Sequence, residues 1–115
     1  MPAADRDDLV RLQAVLAGLL RARDPAAALA AARAAGDADP RLAAVDVDGL
    51  RIGALLVAKL RFQRLLSASR EAAEWFERDG RGFTEAFRAY HTGVPAEALD
   101  PWGESAAFAR WCAGS

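Results

Sequence analysis

Between Asp48 and Ala68 the chain reads DGLRIGALLVAKLRFQRLLSA, and from Leu50 to Leu60 only Arg51, Gly53 and Lys59 interrupt the apolar residues. Ile52 to Ala58 carries no charge. A helix that is apolar on every side has to be enclosed by other elements. Polarity returns at Arg61, Gln63, Arg64 and Ser67, while Ala54, Leu55, Ala58, Phe62, Leu65 and Leu66 keep one stripe at helical spacing. A buried strand is the competing reading for the first half. Ile52 and Val57 are the only β-branched residues there, and the pattern outlasts a strand, so helix is the expectation. The run falls short of the roughly 20 apolar residues that span a bilayer. A central hydrophobic helix, sheathed at its start and half-exposed at its end, therefore sets the problem for the rest of the sequence.

In a chain of 115 residues, that helix belongs to one domain. The expected fold is all-α: a single-domain bundle of five to six helices around the central one. Asp5 to Arg23 carries Leu9, Leu12, Leu16 and Leu19 on one face, with acids in its first turn and arginines in its last. Asp24-Pro25 restarts the chain into an alanine helix, Pro25 to Ala35, which Gly36 is expected to cap. Together these form an N-terminal helical hairpin over residues 1–36. Asp39-Pro40 repeats the start signal for a short turn, and Asp48 is the expected N-cap of the central helix. Reading Asp46-Val47-Asp48-Gly49 as a calcium loop fails, because the position that needs a glutamate holds Leu55.

Three short helices are expected after Ala68. Arg70 to Arg78 is capped by Ser69 and turns Ala72, Trp75 and Phe76 inward. Arg81 to His91 follows the Asp79-Gly80 break, with Phe83, Ala86, Phe87 and Tyr90 inside. The last begins at Asp100-Pro101 and turns in Ala107, Phe108 and Trp111. All nine aromatic residues lie at or after Phe62. Residues 48–112 are thus expected to hold an aromatic-rich core, since large aromatics dominate core and interface energetics.

Chemistry-bearing constellations are sparse. One cysteine excludes an internal disulfide framework and a multi-cysteine zinc site, and one histidine excludes a multi-histidine site. No phosphate loop, Ser-His-Asp arrangement, HExxH or CxxC pair is present. The chain by itself is expected not to be an enzyme and to need no metal or cofactor. His91 ends a helix, where a cation is favourable, and Cys112 sits at a helix C-terminus, which raises a thiol's pKa. Neither is assigned a catalytic role. The acidic start MPAADRDD lacks an apolar signal region, which points to a cytoplasmic protein.

Two features suggest contact with something else. Arg51, Lys59, Arg61, Arg64 and Arg70 fall in a stretch without a single acid. They suit an acidic peptide, a phosphate or an acidic partner surface, or else pair with the chain's own acids, such as Glu71, Glu74 and those between Asp37 and Asp48. Trp102, between Pro101 and Gly103, is open to either reading, core residue or exposed interface anchor. A net charge of −1 gives no global pull toward nucleic acid or membrane and argues against a nucleic-acid partner.

The segments GLRIGALLVAKLRFQRLL and EAAEWFERDGRGFTEAFRAYHTGVP carry a central helix ending in F–x–x–L–L, then a Phe-rich helix running into Tyr-His and Val-Pro. Over about half the chain this resembles the small bacterial partner proteins of multinuclear non-haem iron enzymes that modify cysteine in ribosomally made peptides. The resemblance implies a non-catalytic, cytoplasmic accessory subunit that binds the iron-dependent enzyme and helps capture the precursor peptide, the iron remaining in the other protein. Some such partners have a recognition domain with strands, which this sequence lacks. Two alternatives stand beside it: a regulatory or nucleic-acid-binding helical module using the Arg51–Arg70 basic face, and a homo-oligomeric helical bundle.

Overall fold

A computed structural model describes residues 3–95 and 100–114. Its fold is all-α, as expected, with α1 (Ala3–Arg21), α2 (Pro25–Ala34), a 3-10 turn (Pro40–Ala44), α3 (Val47–Ala68), α4 (Arg70–Arg78), α5 (Gly80–Gly93) and α6 (Pro101–Ala113) among the described residues.

Local chemistry sets most helix starts. Asp24, Ser69, Asp79 and Asp100 each accept from the backbone N–H three residues on, at 3.1, 3.1, 3.0 and 2.6 Å. Each satisfies a donor that the first turn leaves without a partner. Three of these starts, counting the 3-10 turn, place proline directly after the capping aspartate. Asp46, not Asp48, caps α3: its Oδ2 accepts from Gly49 N–H at 2.9 Å. Helix α3 begins two residues earlier than expected, which puts Asp48 in its first turn. Helix α2 stops at Ala34 with an extended Ala35, so Gly36 is not its cap.

The chain divides into two compact units, Met1–Leu56 and Val57–Ser115, with the boundary inside α3. In the first unit Leu19, Leu29 and Leu50 form a small aliphatic core, edged by Leu16, Leu20, Ala28, Ala32, Val45 and Val47. Arg33 ties the 3-10 turn to α2, donating to Leu42 O at 3.0 Å and Val45 O at 2.7 Å. Gly53 lets α3 approach α1: a Cβ there would lie 3.2 Å from Leu20 Cδ2.

The second unit is built around Leu65, Ala72, Phe83, Phe87, Tyr90 and Phe108. Its rings meet edge to face, Phe62 on Phe87 at 5.1 Å, Trp75 on Phe83 at 5.4 Å and Tyr90 on Phe108 at 5.1 Å between centroids. Each such pair adds roughly 0.5–1.5 kcal/mol to its area burial. Phe76, expected inside, is 39% exposed.

The enclosure expected of α3 is incomplete. Leu50 and Ala54 are buried, but Ile52, Leu55, Leu56 and Leu60 are 60, 70, 61 and 52% exposed. Alanine-rich α2 has one large apolar side chain, Leu29, to spend on covering a neighbour.

Candidate functional site

Helix α3 delivers Arg61 into the second unit on the stripe it shares with Ala58 and Leu65. The guanidinium is 1% exposed, which corrects its expected place on a basic surface face. Its Nε donates to Glu104 Oε1 at 2.7 Å, and both side chains are buried. One Nη donates to Val94 O at 2.7 Å, and the other to Pro95 O at 3.2 Å. A contact of 3.2 Å joins Arg61 to His91 Nδ1. Arginine has no acceptor, so in this contact it is the donor.

Glu104 lies in the first turn of α6, brought there by the Asp100 cap. Its second oxygen accepts from the Tyr90 hydroxyl at 2.5 Å. Burial, and then this bond to a carboxylate, push the Tyr90 phenol up to about 12. The Arg61 guanidinium carbon also sits 4.4 Å from the centre of the Tyr90 ring. His91 stacks on Phe87, ring planes 8° apart. No buried side-chain nitrogen or oxygen among the described residues lacks a partner. The cluster therefore spends its hydrogen-bonding capacity joining α3, α5, α6 and the backbone after α5.

That clamp fixes α6, and the first turn of α6 displays Trp102, 73% exposed. Trp102 is therefore not a core residue. Trp75 and Trp111 pack at the edge of the aromatic core instead.

The remaining predicted residues do not converge with the clamp. Arg51 is exposed and lies 3.6 Å from Asp48, one of the local acids its sequence suggested. Lys59 and Arg70 are exposed and Arg64 is half-buried. Cys112 is half-buried, and desolvation raises its thiol, which opposes reactivity. No group of three or more His, Cys, Asp or Glu side chains suited to a metal ion occurs among the described residues. None of their helices is long and apolar enough to cross a membrane.

Sequence reasoning missed Glu104, Tyr90 and Arg61 as a set. A signal was present: Arg61 stands seven residues after Ala54 and four before Leu65, and Glu104 four before Phe108. Both charges thus interrupt apolar stripes, with opposite signs. No family model, curated protein or solved structure matches the chain.

Proposed function

We propose that the chain is a non-catalytic interaction subunit that engages a partner protein through Trp102. The observation that carries this reading is a large aromatic left 73% exposed on a helix anchored by a buried ion pair. A pre-positioned indole loses little freedom on binding, and tryptophan is among the residues that concentrate interface energy. No buried side-chain nitrogen or oxygen of the cluster lacks a partner, which suits a scaffold. In its most specific form the partner is an iron-dependent enzyme that modifies a ribosomally made peptide, and the chain helps hold that peptide. Exposed Arg70 remains to meet acidic segments. The nucleic-acid alternative loses a cation, because Arg61 is inside.

Co-purification with an iron enzyme encoded beside it, and turnover of the precursor peptide with and without this chain, tests the proposal. Trp102→Ala is expected to weaken capture by about thirtyfold, the scale of a 2 kcal/mol anchor, with the helical circular dichroism unchanged. Capture equal to that of the unaltered chain would reject Trp102 as the anchor. Peptide turnover by the purified chain alone would reject the non-catalytic reading.

A further inference from the structure

Helix α3 carries a seam that complements itself. Asp48, Ile52, Leu55 and Lys59 are spaced four, three and four residues apart, which places them on one face of a single helix. Ile52 and Leu55 are 60 and 70% exposed, the Asp48 side chain is 85% exposed, and Lys59 is exposed. Read forwards the seam runs acid, apolar, apolar, base. A second copy laid antiparallel runs base, apolar, apolar, acid, so each layer meets its complement.

We propose that α3 is a homodimer interface, with two copies related by a twofold axis that crosses the helix between Gly53 and Ala54. In that register Ile52 packs on Leu55 of the second copy and Asp48 meets its Lys59, each twice. Leu56, 61% exposed, flanks the seam and extends the apolar contact. Asp48 is shared with Arg51 of its own chain at 3.6 Å, a distance at which two exposed side chains bind each other weakly. The helix dipoles of the pair oppose, as the charges do. Only two apolar layers lie between the charged ends, which sets the affinity on a micromolar scale rather than that of an obligate dimer. This inference does not rest on Trp102, and either can fail without the other.

Sedimentation equilibrium of the full chain from about 5 to 200 µM, a range bracketing a micromolar dissociation constant, tests it. The unaltered chain is expected to show a monomer–dimer equilibrium. Asp48→Lys leaves two cations on the seam and Lys59→Asp leaves two acids, so each variant alone repels its own copy. Each is expected to dissociate at about tenfold higher concentration, and an equimolar mixture of the two to dimerise as the unaltered chain does. Recovery on mixing also shows that both variants fold. Should either lose helical signal, Leu55→Glu decides instead: the side chain is 70% exposed, so monomeric, helical protein supports the seam. A monomer at every concentration, a variant that dimerises unimpaired, or a mixture that fails to associate while both variants are folded would overturn the proposal.

Discussion

At the scale of single residues, Arg61 and Glu104 are the pair on which the second unit turns. Two charges that are 1% exposed are costly to desolvate, and what offsets the cost is the completeness of their bonding. Removing one partner leaves a buried charge alone, so Glu104→Ala is expected to lower the unfolding free energy by roughly 3–5 kcal/mol. Replacing both, as Arg61→Met with Glu104→Leu, should recover only part of that loss, because the Tyr90 hydroxyl and Val94 O then lose their partners, and urea unfolding of the two proteins compares them. Arg61→Glu would set two carboxylates together inside, so its loss of any binding activity would report unfolding and not a lost contact. Tyr90 is the chain's only tyrosine, which lets tyrosinate absorbance report it directly. Its folded phenol titrates at about 12 against an ordinary 10.0. A raised value means that the folded state holds the proton more tightly. The stabilisation is therefore whole below pH 10 and is lost as pH rises toward 12. Stability should fall across that window, and Tyr90→Phe should flatten the fall while losing roughly 1 kcal/mol or more at neutral pH with the hydrogen bond to Glu104. An absorbance midpoint near 10 in the folded protein would contradict the burial of this phenol.

Among the elements, most junctions are short and capped by one side chain. Asp79 is the most economical of them: its N–H closes α4 on Trp75 O at 2.7 Å, and its carboxylate opens α5 on Gly82 N–H. Asp79→Ala is expected to cost about 1 kcal/mol, the usual value of an N-cap. Gly82→Ala should weaken the same cap by a different route, because a Cβ at Gly82 would collide with the Asp79 carboxylate and displace it, a loss that the better helix propensity of alanine offsets in part. Thermal unfolding measures both. If the two substitutions are additive when combined, they do not act on the same cap and this account is wrong. Helix α3 shows the limit of reading an element from its composition. An apolar run on all sides implies enclosure only if neighbours have side chains large enough to cover it. Before Leu50, α2 is mostly alanine, and the leucines of α1 that are buried or packed in the core gather around Leu19, Leu29 and Leu50, so Ile52, Leu55 and Leu56 stay exposed.

For the molecule as a whole, the two compact units differ in how much they bury. Residues up to Leu56 contribute a core of three leucines, whereas those from Val57 on assemble an interlocked set of aromatic rings around a buried ion pair. Native-state hydrogen exchange should therefore find slower amides at Phe83, Phe87 and Leu65 than at Leu16, Leu19 and Leu29. Equal protection in both would mean that the chain opens in one step. Much of this was legible beforehand: helix as the regular element of the described residues, the Asp-Pro and Ser starts, and the aromatic half as the denser core all follow from hydrogen bonds and periodicities within a few residues. Trp102 was legible only as a choice between burial and exposure. The sequence determined where helices begin and which faces are apolar, because those depend on neighbours three or four residues away. Tertiary structure decided which apolar face found cover and which charges went inside, because Arg61 and Glu104 are 43 residues apart and meet only after α3, α5 and α6 have packed.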